Sequence, residues 1–191
     1  MRCWFAGEGK TYIAENLSIV FAKSGKKTLV IGADLRRPKL YSDFGLENIK
    51  GISSHIFSDL ALSEVILKSD IENLDLIPSG IIPPNPSELL DSDLMQEFID
   101  SVKSEYDVIL FDSPPLIAVT DSYVLLKYIS QFILVIRPGI TETRALNRVI
   151  SGFKHANFNI TGVVMNAVTE EYSYGAGYYY NYYQYYYGDE K

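Results

Sequence analysis

Short apolar runs rich in β-branched residues recur along the chain, and amphipathic stretches separate them. Five runs stand out, at 28–32, 74–78, 107–111, 132–136 and 160–165. Their nearly unbroken hydrophobicity predicts strands covered on both faces, as in a parallel sheet. Between them, Ile13, Leu17, Val20 and Phe21 form one helical stripe over 10–23, with Gly25 placed as its stop. A second helix is predicted over 87–104, where Leu89, Leu90, Leu94, Phe98 and Val102 recur after Pro86. The third follows Thr141 and runs to His155, with Leu146, Val149, Ile150 and Phe153 on its inner side. Alternating strands and helices predict an α/β fold of three layers, helices on both faces of a mostly parallel sheet.

The pattern ends at Tyr172. Ten of the fifteen tyrosines follow: Tyr172, Tyr174, Tyr178, Tyr179, Tyr180, Tyr182, Tyr183, Tyr185, Tyr186 and Tyr187, set among glycines and polar residues. The expected organisation is one domain over 1–171 and a tyrosine-rich tail over 172–191. No repeat interrupts this plan.

Composition narrows the classes of function. A chain of 191 residues suits one domain of ordinary size. The lone Cys3 forms no internal disulfide, and Cys and His show no zinc-ligand spacing, so a reducing, cytoplasmic setting is expected. A net charge of −7 without Lys/Arg clusters argues against a nucleic-acid surface. The apolar runs fall far short of the roughly 20 residues that cross a bilayer, and no signal peptide is visible, so a membrane link is expected to come through a partner.

Candidate chemistry lies at Gly7-Glu8-Gly9-Lys10-Thr11, where the first helix begins. Glycines let backbone N–H groups face a phosphate, lysine neutralises the terminal phosphates, and the threonine hydroxyl suits magnesium. The helix also directs its positive end there. Trp4 stands where the full phosphate-loop pattern has its first glycine. Asp112 follows the apolar run 107–111, and Asp34 follows 28–32; both sit beyond strand ends, where parallel sheets bind ligands. Buried acids need partners or protons, so Lys10, Thr11, Asp34 and Asp112 are expected to converge on one magnesium-bound nucleotide. The bland alternatives are a helix start for the loop and a turn acid for Asp112, beside Ser113-Pro-Pro115.

These residues resemble the bacterial tyrosine autokinases of capsule and exopolysaccharide export, built on the P-loop ATPase fold. The resemblance rests on Gly7-Glu-Gly-Lys-Thr11, on Leu29-Val-Ile-Gly-Ala-Asp34-Leu-Arg36-Arg-Pro38, on Pro83-Pro-Asn-Pro-Ser-Glu-Leu-Leu90, on Val108-Ile-Leu-Phe-Asp-Ser-Pro-Pro115 and on the tail. It implies ATP and Mg2+ as cofactors and phosphorylation of the tail tyrosines on a neighbouring subunit of a ring-like homo-oligomer. A membrane adaptor or polysaccharide co-polymerase would regulate activity and recruit the protein to the inner membrane. It further implies nucleotide contacts by Gly7, Glu8, Gly9, Lys10, Thr11 and Tyr12, metal contacts by Thr11, Asp34 and Asp112, and catalytic roles for Lys10, Asp34 and Asp112. Asn166, at the end of the last strand, would read the base, with a turn-forming asparagine as the alternative.

The sequence departs from the family in two places. Gly32 stands where the second motif carries another aspartate, so Asp34 is left to act alone. Only Met1-Arg-Cys3 precede the loop, so the first, central strand is expected to be missing, along with the family's adaptor, membrane spans and kinase-start helix. Removing a central strand would leave two buried edges, each with N–H and C=O groups short of partners. Two other functions remain open: a nucleotide switch of the partition or division-site ATPase type, whose extra loop lysine is Phe5 here, and an inactive fragment that only donates its tail. His55 and His155 are given no role, and Arg36 and Arg37 face phosphate, a neighbouring subunit or solvent.

Overall fold

A computed structural model describes residues 7–58, 60–116 and 121–169; the side chains of residues 43, 121 and 122 are not included. The expected missing strand and the tyrosine tail therefore lie outside the described residues. Helix α1 (Lys10–Lys23) has the predicted bounds. It starts at Gly9 in the left-handed region, φ 87°, and Gly25 at φ 84° turns the chain after it. Strand β1 (Thr28–Gly32) follows, buried along its whole length.

A run of short elements then leads to the next strand: α2 (Leu40–Asp43), α3 (Ile52–Ser58), α4 (Leu62–Val65) and β2 (Leu67–Lys68). Strand β3 (Leu74–Ile77) pairs parallel with β1, and β2 pairs antiparallel on its far side. The expected helix over 87–104 is two helices, α5 (Pro86–Asp91) and α6 (Asp93–Lys103). Ser92 breaks it: its backbone is extended, φ −74° and ψ 156°, and its hydroxyl accepts from the N–H of Met95. The break resets the helical phase. Met95, Phe98, Ile99 and Val102 are buried, and Leu94, expected inside, is 52 % exposed.

Strand β4 (Val108–Asp112) pairs parallel with the other side of β1, in a register that sets Gly32 opposite Asp112. Asp112 is thus the last residue of the strand, where the sequence placed it just beyond. Helix α7 (Asp121–Val124) and a short 3-10 helix (Leu125–Lys127) lead to β5 (Ile133–Ile136), α8 (Thr143–His155) and β6 (Gly162–Met165).

Among the described residues the strands fall into two groups. β2-β3-β1-β4 make a four-stranded sheet, and β5 and β6 make a separate parallel pair. β1 sends Leu29 and Ile31 into a core shared with α3, α5 and α6, and Val30 into a second core with α1 and α2. Period-two alternation along β1 therefore generates the three layers. A third core joins β5 to α8 through Leu134, Val149 and Phe153, with the Phe132 ring tilted against that of Phe153, centroids 4.5 Å apart.

The α1 stripe is corrected as well. Val20 is 61 % exposed. Ile13, Leu17 and Phe21 are only half-buried, because they face a cavity between the two sheets.

Candidate active site

The phosphate loop joins the two sheets at their carboxyl ends. From the first sheet, Thr11 Oγ1 donates to Asp112 Oδ2 at 2.8 Å. From the second come three contacts: Asn166 Nδ2 donates to the carbonyl of Glu8 at 2.8 Å, Arg137 Nη1 to the carbonyl of Gly7 at 3.1 Å, and Thr141 Oγ1 to Glu8 Oε1 at 2.6 Å. Gly7 and Gly9 hold φ of 102° and 87°. At Gly9 the need for glycine is double, because a Cβ there would also collide with the Asn166 amide.

Lys10 begins α1, and its ammonium lies 3.7 Å from Glu8 Oε2. Glu8 is buried, and burial pushes its carboxyl above the ordinary range, opposed by the Thr141 hydroxyl and the Lys10 charge. Asp112 is 3 % exposed. Burial raises its carboxyl to about 6, with the Asp34 charge adding to the rise and the Thr11 bond, Lys10 and Lys39 opposing it. The structure sets Asp112 against Thr11, and the charges of Asp34 and Lys10 act on its carboxyl. Asp34 Oδ1 accepts the N–H groups of Arg36 and Arg37 at 3.2 and 2.9 Å, a turn that orients its carboxylate just past β1.

The remaining expected residues divide. Tyr12 is 60 % exposed and does not line the cavity behind the loop. Asn166 is engaged with the loop backbone. His55 packs against Phe98, ring centroids 5.5 Å apart, and His155 contacts the Ser151 carbonyl at 2.6 Å. Arg137 and Thr141 were missed. Their signal was weak: Arg137 directly follows an apolar strand, as Asp112 ends one.

Magnesium binds through one or two carboxylates together with substrate phosphates, not in an all-protein cage. The donors here, a hydroxyl, a buried carboxylate and a second acid beside a lysine, fit that chemistry. No group of three or more His, Cys, Asp or Glu able to hold a metal occurs among the described residues.

Fold and loop together define a P-loop nucleotide-binding protein of the α/β type. Residues 6–159 match the AAA domain family. Tyrosine-protein kinase YwqD of Bacillus subtilis is 38 % identical over 160 residues, covering 84 % of this chain and 68 % of that one. The chain belongs to the bacterial tyrosine-protein kinase family, and is by that assignment a protein-tyrosine kinase of the bacterial type.

The kinase domain of Escherichia coli tyrosine kinase ETK superposes with a TM-score of 0.78 at 33 % identity, over 88 % of this chain and 68 % of that one. Tyrosine-protein kinase Wzc of Salmonella typhi is 32 % identical over 94 % of this chain, which spans only 25 % of Wzc. The septum site-determining protein MinD of Pyrococcus horikoshii, complexed with Mg-ADP, shares the fold at a TM-score of 0.69 and 24 % identity, over 87 % of this chain and 69 % of that one. The expected family and fold are both borne out. Nucleotide binding with a divalent metal follows from the family. Among the described residues, no helix is long and apolar enough to cross a membrane.

Proposed function

We propose that the chain transfers the γ-phosphoryl group of ATP to tyrosine hydroxyls in the 172–191 segment of a neighbouring copy. One observation carries the assignment of roles: the Thr11–Asp112 hydrogen bond at the start of α1, beside Lys10. Thr11, Asp112 and Asp34 would hold the magnesium ion, which would supply positive charge to neutralise the phosphates. Lys10 exchanges its Glu8 contact for the phosphates, and the N–H groups at the start of α1 point at them. Asp34, fixed by the Arg36 and Arg37 amides, orients the attacking tyrosine and takes its proton as the new O–P bond forms and the bond to ADP breaks. Glu8, Arg137, Thr141 and Asn166 keep the loop in shape.

Each phosphate adds about −1.5 to −2 charges at pH 7. Several would make the tails repel one another and acidic neighbours, so modification would loosen a ring of copies. That links the activity to polysaccharide export at the inner membrane, with an adaptor or co-polymerase region as partner.

The test is incubation of the full chain with Mg-ATP and detection of phosphotyrosine, beside Lys10→Met and a deletion after Glu171. Both changes should abolish the signal. Mixing the Lys10→Met chain with a kinase-competent chain whose tail tyrosines are all Phe should restore it on the former, as transfer between copies requires. A folded, ATP-binding sample without phosphotyrosine would refute the kinase reading and favour a nucleotide switch.

A further inference from the structure

The phosphate loop carries a buried acid next to its lysine. Glu8 is 6 % exposed; its Oε1 accepts the Thr141 hydroxyl at 2.6 Å, and its Oε2 lies 3.7 Å from the Lys10 ammonium. The Thr141 bond helps to hold the loop, but a neutral oxygen would accept it equally well. The negative charge needs another reason. Burying a carboxylate costs free energy that only close partners offset, and an anion at this place repels the phosphates for which the loop is built.

The turn after β5 aims this acid. Thr141 Oγ1 accepts the N–H of Arg137 at 2.9 Å, and the N–H of Thr141 donates to the Arg137 carbonyl at 2.8 Å. Gly139, at φ 75°, lets the chain close on itself there. The Thr141 hydroxyl thus has its proton directed to Glu8 Oε1, and the second oxygen of the carboxylate is the one beside Lys10.

We propose that Glu8 determines specificity by competing with the terminal phosphates of the nucleotide for Lys10. The inference rests on the loop being the nucleotide site, as argued above. The lysine of such a loop reaches the β- and γ-phosphates. A monophosphate stops short of it and leaves the Lys10–Glu8 pair closed, whereas a diphosphate or triphosphate must open the pair before it gains the lysine. Glu8 therefore lowers the affinity of every ligand that has a β-phosphate. After phosphoryl transfer the same pair re-forms as the diphosphate leaves, so Glu8 speeds product release.

Competition binding of AMP, ADP and inorganic triphosphate to the full chain, with magnesium present, tests this. Glu8→Gln keeps the volume and still accepts the Thr141 hydroxyl, but offers Lys10 no charge. ADP and triphosphate should bind the variant about 2- to 5-fold more tightly than the parent, the worth of a partly exposed ion pair. AMP should bind it no more tightly. If the variant fails to fold, the parent still decides: the Lys10 side-chain NMR resonance, assigned by its loss in Lys10→Met, should move on adding ADP and stay in place on adding AMP. Unchanged or weaker binding of ADP and triphosphate by Glu8→Gln would overturn the proposal and leave Glu8 a prop of the loop. So would AMP tightening as much as ADP, which would mean general repulsion of phosphate, or a Lys10 resonance that ADP does not move. A folded parent that binds neither ADP nor triphosphate would refute the nucleotide reading itself, and this inference with it.

Discussion

Thr11 and Asp112, 101 positions apart in sequence, share a 2.8 Å hydrogen bond that ties the first turn of α1 to the end of β4. The bond meets an acid that burial would otherwise keep neutral near pH 6. Replacing Thr11 with Val keeps the shape and removes the donor. At pH 8 this strands a buried carboxylate and should cost about 1–3 kcal/mol. At pH 5, below the raised value, the acid carries its own proton and the cost should shrink. Urea unfolding at both pH values measures the difference; an equal cost would mean that Asp112 is neutral throughout.

Asp112→Asn isolates the same acid. In the folded chain its carboxyl is raised from 3.8 to about 6, so between these values the native state binds more protons than the unfolded one. Its contribution to stability is full below about pH 4, is lost as pH rises through about 6, and is flat above. At 1.36 kcal/mol per unit the loss is at most about 3 kcal/mol. Without nucleotide, the Asn variant should lack this decline and be more stable than the parent at pH 8, while binding Mg-ATP far more weakly. Thermal melts across pH 4–8, with calorimetric titration of Mg-ATP, check both halves.

The legibility of these features in the sequence follows physical lines. Helix α1 and five strands were readable because a long stripe or a buried apolar run leaves a periodic trace, and Gly9 and Gly25 mark the helix ends. Ser92 was not read as a break, since a serine within an apolar period looks like a tolerated helix residue until its hydroxyl is seen capping Met95. The four-residue α2 and α4 and the two-residue β2 are too short to show a period. At the site, Lys10, Thr11, Asp34 and Asp112 belong to strand ends and a glycine loop, which local sequence marks. Arg137 and Thr141 act on the loop from 130 and 133 positions away, through contacts that only the fold creates.

Asn166 offers a test of what kind of contact it makes. Its amide donates to the Glu8 carbonyl, so Asn166→Ala should loosen the loop and weaken ATP, GTP and inorganic triphosphate by similar factors. A net hydrogen bond of about 0.5–1.5 kcal/mol predicts a loss of roughly 2- to 12-fold. Base reading by the same amide would weaken ATP selectively and leave triphosphate unchanged. Competition binding with the three ligands separates the two.

Gly32 occupies the place of a second acid, and its surroundings show why an acid does not simply fit. A Cβ at this position would lie 3.1 Å from both the backbone nitrogen and the hydroxyl of Ser79. The backbone nitrogen belongs to a segment held on both sides: Ser53 N–H donates to the Ser79 carbonyl at 3.0 Å, and Gly80 N–H donates to Asn48 Oδ1 at 2.9 Å. Gly32→Ala should therefore cost about 1–3 kcal/mol, the usual range for overpacking, without changing the Mg-ATP site. Gly32→Asp adds to that crowding a carboxylate on the strand register partner of Asp112. Two acids so placed should raise the Asp112 carboxyl further and weaken binding of the free nucleotide, while magnesium, by neutralising both, recovers part of the loss. The ratio of ATP affinities with and without magnesium should thus rise in Gly32→Asp and stay at the parent value in Gly32→Ala. Equal ratios in the two variants would show that the acid at position 32 does not reach the metal in this chain.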